Sequence, residues 1–146
     1  MIVYSKNVKN TQKIATDLVG KIKSFKVDEA IVVALEGELG AGKTVFVKAF
    51  AKALGIKDKI KSPTFVLIKK YKIPKTDGHM YHLDCYRLRD GKDLMILGIQ
   101  DFLRESHNIV FIEWSERVKK ILPSRHIKVH IDHIDQHTRK LRISGM

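Results

Sequence analysis

The sequence holds one cysteine, Cys85, in 146 residues. That rules out an internal disulfide and any cysteine-built zinc framework. Its three prolines and nine glycines are not clustered, so no linker, low-complexity tract or repeat divides the chain, and a single domain over residues 1–146 is expected. Long apolar runs are missing as well. The longest, Ala30 to Leu35, is six residues, against roughly 20 needed to span a bilayer, so no membrane contact is expected. Lys6 and Lys9 precede any long apolar stretch, which argues against a secretory signal and for a reduced, cytoplasmic protein. Acidic residues are in deficit, 16 against 28 Lys and Arg, for a net charge of +12. This balance favours polyanionic partners such as nucleotides, RNA or an acidic protein face. With 44% hydrophobic residues, the chain can still bury a core.

The apolar pattern alternates between the two secondary-structure periods. Ile2 to Ser5 suits a short strand. From Thr11 to Ile22, Ile14, Ala15, Leu18, Val19 and Ile22 recur at helical spacing, with Asn10 or Thr11 as the expected cap. Ala30 to Leu35 is short and continuously apolar, as a strand covered on both faces of a parallel sheet would be. A largely buried helix is expected from Lys43 to Leu54, stopped by Gly55, with only Lys48 and Lys52 marking a wet side. Thr64 to Ile73 alternates, Asp77-Gly78 signals a turn, and Tyr81, Leu83 and Cys85 alternate again, which predicts an antiparallel hairpin. Short helices are expected at Asp93 to Leu97, Ile99 to Ser106 and Ser115 to Leu122, with a buried strand at Ile109 to Ile112. Ile127, Val129 and Ile131 share one strand face, and Leu141 and Ile143 suggest its hairpin partner. The fold class that follows is α/β: a mixed sheet with parallel core strands, flanking helices and added antiparallel hairpins.

The sharpest local signal is Gly37-Glu38-Leu39-Gly40-Ala41-Gly42-Lys43-Thr44, which fits G-x-x-x-x-G-K-[ST] between an expected strand and an expected helix. A nucleotide triphosphate tail is a dense run of negative charge. Glycines let the backbone curl so that amide groups point inward at its oxygens, and the following helix adds the positive end of its dipole. Glu38, Leu39, Gly40, Ala41 and Gly42 are therefore read as the cradle. Lys43 reaches the terminal phosphates, and the Thr44 hydroxyl offers an oxygen ligand to Mg²⁺. No N-K-x-D guanine reader occurs, so ATP is the expected nucleotide and the fold expected is of the P-loop NTPase type.

Phosphoryl chemistry also needs an acid beside the metal and a group to orient the attacking oxygen. Glu113 follows the apolar run Ile109 to Ile112, at the tip where an open α/β sheet binds ligands. It is read as a metal acid, direct or through water. Asp84 faces away from Leu83 and Cys85 on its strand and suits the second metal shell or water positioning. The two acids can exchange these roles as far as sequence goes. Ser62-Pro63-Thr64-Phe65 stands about 20 residues after the loop, where a GTPase threonine closes onto metal and γ-phosphate. Thr64 is the corresponding candidate.

Taken together, the loop, Ser62-Pro63-Thr64-Phe65, His82-Leu83-Asp84-Cys85-Tyr86-Arg87-Leu88 and Glu113-Trp114-Ser115-Glu116 resemble the TsaE family, in order and spacing from near residue 5 to near residue 143. That family is the ATPase subunit of the bacterial tRNA threonylcarbamoyladenosine-modification system. The resemblance implies a mixed α/β nucleotide fold and weak ATP hydrolysis. It also implies action with TsaB and the catalytic TsaD on adenosine 37 of tRNAs reading codons that begin with adenine, with tRNA contacted indirectly through the complex. It further implies that Lys43 and Thr44 hold phosphate and Mg²⁺, that Glu113 is a metal ligand, that Asp84 and Thr64 support hydrolysis, and that Thr11 lies near the nucleotide base. Cys85 stands where Leu is usual in the family, and Ser115 where Pro or Ala is common. The C-terminal hairpin lacks a turn glycine around His133 to Thr138, which leaves its register open.

Other features carry weaker signals. His126, His130, His133 and His137 have helical metal-site spacing, but the alternation around them argues for a strand. Seven lysines against Asp58 between Lys57 and Lys75 fit an RNA-facing or subunit-facing surface, or a solvated basic face. Trp114 beside Glu113 suits either a place near the nucleotide or a packing role. Two other functions share some of these features. A small-metabolite kinase would need an acceptor pocket and lid for which the chain has little room. A basic RNA-binding module would show strongly salt-dependent tRNA binding without nucleotide.

Overall fold

A computed structural model of the chain describes residues 1–38, 40–61, 68–88 and 91–145. Seven strands form one sheet: β1 (Ile2–Ser5), β2 (Ile31–Glu36), β3 (Ile68–Lys72), β4 (His79–Asp84), β5 (Ile109–Glu113), β6 (Ile127–His133) and β7 (Arg139–Ser144). Their spatial order is β1-β7-β6-β2-β5-β4-β3. The four central strands β6, β2, β5 and β4 are mutually parallel, while β3, β7 and β1 add antiparallel at the flanks. The parallel core with antiparallel hairpins is the architecture expected from the apolar pattern.

Helices α1 (Val8–Lys23) and α2 (Lys43–Ala53) pack against each other and against one sheet face. They bury Val33, Leu35, Met80, Phe111, Val129 and Ile131 beneath them. Helices α3 (Lys92–Ile96) and α4 (Ile99–Leu103) and a 3₁₀ helix (Ser115–Ile121) cover Val32, Leu83, Val110 and Ile112 on the other face. This two-sided burial explains why β2 and β5 read as unbroken apolar runs. No helix among the described residues is long and apolar enough to cross a membrane.

The first core ties the phosphate-loop helix to the sheet. Phe46 and Phe50 of α2 meet Phe111 of β5, with ring centroids 6.2 and 5.1 Å away, and all three rings are fully buried. Phe111 stands two residues before Glu113, so this contact sets the distance between the helix start and the strand tip. Phe50→Ala is expected to cost about 3–5 kcal/mol through lost burial and the cavity left behind. Urea unfolding measures it.

Several local expectations shift in the structure. The cap of α1 is Asn7, not Asn10 or Thr11: its side chain accepts from the Asn10 N–H at 2.8 Å. Thr11 lies a turn further in, buried, with its hydroxyl 2.7 Å from that of Ser5. Helix α4 ends at Leu103, short of Ser106, because its last carbonyls are taken elsewhere. Asn108 donates to Phe102 at 3.0 Å and the Ala30 N–H donates to Leu103 at 2.9 Å. The segment after Trp114 is 3₁₀, broken at Val118.

In the β3–β4 hairpin the left-handed residue is Lys75, with φ of 64°. Gly78 serves another purpose, since a Cβ there would stand 1.7 Å from the His107 carbonyl oxygen. In the β6–β7 hairpin Asp135 replaces the missing turn glycine. Its carboxylate accepts from the His137 and Thr138 N–H groups at 2.9 and 2.8 Å, an arrangement that closes a turn without a left-handed residue. Those two donors also hold the Asp135 carboxyl below its ordinary pKa.

Candidate phosphate and metal site

The site begins where β2 ends. Gly37 leaves the strand with φ of 149°, and a Cβ there would stand 2.6 Å from the Ile131 carbonyl oxygen of the neighbouring strand. Only glycine lets the chain turn this close to β6. The Ala41 N–H then donates to the Glu38 carbonyl at 3.1 Å, curling the loop. Gly42, at φ of 100°, caps α2 without any side-chain hydrogen bond, and the first turn of α2 contains no acid. The first amides of α2 thus lack the side-chain acceptor that Asn7 supplies to α1. An uncapped helix start behind a glycine-curled loop is a site for an anion. Leu39 lies outside the described residues.

Lys43, the first residue of α2, turns inward and is buried. Its Nζ donates to the Gly37 carbonyl at 2.5 Å and lies 3.6 Å from the centre of the Trp114 ring. Burial pulls the Lys43 pKa below its ordinary value, and the nearby carboxylates of Glu113, Glu116 and Asp84 oppose that pull. Thr44 is exposed in the same turn. Among the loop residues, Glu38 and Gly40 are exposed and Ala41 is buried.

The two acids come from the tips of adjacent parallel strands. Asp84 ends β4, Glu113 ends β5, and the two are direct register partners. Asp84 is half-buried, and its Oδ1 accepts from the Tyr86 N–H at 3.0 Å. Burial raises its pKa, and the like charge of Glu113 adds to the rise; the Tyr86 amide, His82 and Lys43 act the other way. Glu113 is buried, with its Oε2 2.5 Å from Nε2 of His82, itself 2% exposed. Trp114, which follows, has a left-handed backbone at φ of 58°. This turn sends its ring back over Lys43, with Tyr86 5.0 Å away and Arg117 5.8 Å away.

Thr44, Asp84 and Glu113 offer oxygen donors only, the set that a hard cation such as Mg²⁺ prefers. No group of three or more His, Cys, Asp or Glu side chains able to hold a metal occurs among the described residues. A cation here would therefore draw further ligands from phosphate and water, as Mg²⁺ commonly does. Cys85 is buried and its thiol pKa is pushed up to about 12, which makes it unreactive.

Beside the loop, Asn7, Thr11, Gly42, Val45, His137 and Arg139 line a cavity of about 520 Å³. The Thr11 of the sequence reading therefore faces the same space as Gly42. Thr64 and its neighbours Ser62, Pro63 and Phe65 lie outside the described residues. Three further residues come into the site, of which only Trp114 carried a sequence reading, as either near the nucleotide or a packing residue. His82 could have been found as the residue two before Asp84, on the same strand face. Trp114 is adjacent to Glu113, but its turn over Lys43 depends on its left-handed backbone. Arg139, whose Nε donates to the Ala41 carbonyl at 3.1 Å, left no signal, because its place depends on the hairpin register.

The comparisons with known proteins converge. A family model described as threonylcarbamoyl adenosine biosynthesis protein TsaE matches residues 5–141. The TsaE protein of Haemophilus influenzae is 42% identical over 109 residues, which span 74% of this chain and 66% of that protein. The TsaE protein of Treponema pallidum is 34% identical over 144 residues, covering 99% of this chain and 100% of its own length. The TsaE protein of Aquifex aeolicus is 36% identical over 143 residues, covering 97% and 93%. Among solved structures, YdiB of Bacillus subtilis superposes with a TM-score of 0.74 at 26% identity, over 100% of this chain and 86% of that one. With the family's model matched from β1 into β7 and a relative aligned over its whole length, the chain belongs to the TsaE family of threonylcarbamoyl adenosine biosynthesis proteins.

Proposed function

We propose that this chain is a single nucleotide-binding domain that binds ATP with Mg²⁺ on the loop from Gly37 to Thr44 and hydrolyses it slowly. In this reading it works in the cytoplasm as the ATPase component of tRNA threonylcarbamoyladenosine biosynthesis. Its partners are TsaB- and TsaD-like subunits, and it reaches tRNA through their complex. The observation that carries the reading is the closure of three elements on one ammonium group. Lys43 starts α2 at the mouth of the glycine loop, and the carboxylates of Asp84 and Glu113 face it from neighbouring strand tips.

The loop amides and the start of α2 hold the phosphates, and Lys43 leaves the Gly37 carbonyl to reach the terminal ones. Thr44 and Glu113 would hold the Mg²⁺, which supplies charge neutralisation on the phosphate oxygens when bound. Asp84, with its raised pKa, accepts a proton from or orients the attacking water. Thr64 assists from the segment after α2, and Thr11 borders the base. Turnover is expected to be well below the roughly 10 s⁻¹ typical of enzymes. The Arg117 guanidinium lies over the rings of Tyr86 and Trp114, and Arg139 donates its Nε–H to the Ala41 carbonyl, so both guanidinium groups already have structural partners and slow turnover is expected.

Trp114 is the sole tryptophan, which makes binding directly visible. Titrating ATP and Mg²⁺ into the chain is expected to change its emission as Lys43 leaves the ring. Reconstitution with TsaB and TsaD is then expected to make multi-turnover tRNA modification depend on this chain. Flat emission together with silent calorimetry would remove the basis of the assignment.

A further inference from the structure

His82 is among the largest fully buried side chains, 2% exposed on the α2 side of the sheet, and its ring stands edge-on to Phe111 with centroids 6.1 Å apart. It is a polar ring in an apolar position with one polar partner: Nε2 is 2.5 Å from Oε2 of Glu113, and Nδ1 is buried without a hydrogen bond among the described residues. A histidine retained only for packing would be served as well by an apolar ring, with no buried nitrogen left unpaired. The strand register explains the contact. His82 and Asp84 stand two apart on β4 and so project to one face, and Glu113 is the partner of Asp84 across β4 and β5. Glu113 therefore faces two groups of the neighbouring strand, a histidine at hydrogen-bond distance and a like charge at Asp84.

The geometry points to His82 as a positioning residue: its Nε2–H donates to Glu113 Oε2, fixes the rotamer of that carboxylate against Asp84, and reserves Oε1 for the bound divalent cation or its water. The inference rests on the proposed function, since it assigns work to the same site. A hydrogen bond from a buried ring to a ligating carboxylate fixes its orientation, and losing such a partner typically costs 10–100-fold in metal affinity or activity. The hydrogen bond and ring contact of His82 go to Glu113 and Phe111, so the phosphate grip itself is expected to be independent of it.

The test uses the full chain and two variants, His82→Leu and His82→Gln. Leucine keeps apolar bulk without a donor; glutamine carries an amide N–H of similar reach. Three readouts separate positioning from packing: Mn²⁺ affinity of the ADP complex by electron paramagnetic resonance, kcat and KM for ATP with Mg²⁺, and ADP affinity in EDTA from Trp114 emission. For His82→Leu, Mn²⁺ affinity and kcat are expected to fall about 10–100-fold, with KM and metal-free ADP affinity within about twofold of the parent. His82→Gln is expected to recover most of both losses. Equal losses in the two variants, unchanged Mn²⁺ affinity in His82→Leu, or a parallel loss of metal-free ADP binding would each overturn the positioning role. Failure of the proposed function would look different, because the parent chain itself would then show neither ADP binding nor Mg²⁺-dependent turnover.

Discussion

Replacing Lys43 by alanine is expected to lower ATP hydrolysis by at least about 100-fold and to abolish reconstituted tRNA modification. Charge-assisted contacts that strengthen as charge develops on a transferring phosphoryl group are worth about 3–4 kcal/mol each in a preorganised site. Among the described residues, Lys43 is the one cation that the structure buries at the mouth of the loop. The fold is expected to survive. Burial already works against the ammonium, as its lowered pKa shows, and the core contacts of α2 come from Phe46, Val47 and Phe50. Lys43 is itself buried and donates to the Gly37 carbonyl, so a loss of about 1–3 kcal/mol is expected, short of unfolding the chain. Single-turnover ATP hydrolysis and urea unfolding, done side by side, check both halves. A folded variant that still turned over ATP at the parent rate would remove Lys43 from the mechanism.

The substitution Asp84→Asn is expected to move activity and stability in opposite directions. An amide cannot take the proton of the attacking water, so hydrolysis should fall about 100-fold, within the usual range for a general base. The amide oxygen can still accept from the Tyr86 N–H, so the turn after β4 is kept. What disappears is a carboxylate that burial and Glu113 both disfavour. The folded-state pKa is raised above the ordinary 3.8, so over that interval the folded chain binds more protons than the unfolded one. Stability therefore falls as pH rises from about 3.8 through the raised value, and the penalty persists at neutral pH. The asparagine variant should be the more stable at pH 7, by up to about 1 kcal/mol after solvent screening. The gap should close below pH 3.8, where both side chains are neutral. Unfolding midpoints across pH 3 to 7 measure the effect. A gap of constant size would mean that the carboxylate charge is not its source.

The two substitutions also separate the local from the long-range parts of the site. The loop from Gly37 to Thr44 was legible as a phosphate cradle because the relevant groups are neighbours in the chain: glycines, an ammonium, a hydroxyl and the start of a helix. The strand that feeds it and the helix that leaves it were legible from apolar patterning, which depends on residues three or four apart in α2 and on an unbroken apolar run from Ala30 to Leu35 leading through β2. By the same reasoning Glu113 could be placed at a strand tip and Asp84 on a strand face opposite Leu83 and Cys85; that Asp84 also ends its strand came from the structure. That they face each other required the β4–β5 register, which no spacing along the chain contains. The cap of α1 was misplaced by three or four residues, because Asn7, Asn10 and Thr11 are all competent caps and only the contact of Thr11 with Ser5 decides between them.

From composition and order alone came the class of fold, the phosphate loop, the resemblance to one family and the exclusion of disulfides and bilayer-length runs. Each depends on covalent neighbours, on fixed helical or strand periods, or on counting. Tertiary structure alone decided that His82 meets Glu113, that Arg139 from the far hairpin grips Ala41, and that Trp114 folds back over Lys43. Those contacts join residues 31, 98 and 71 positions apart. They exist because strand register and one left-handed backbone position bring the groups together, and neither leaves a periodic trace in the residues that it joins.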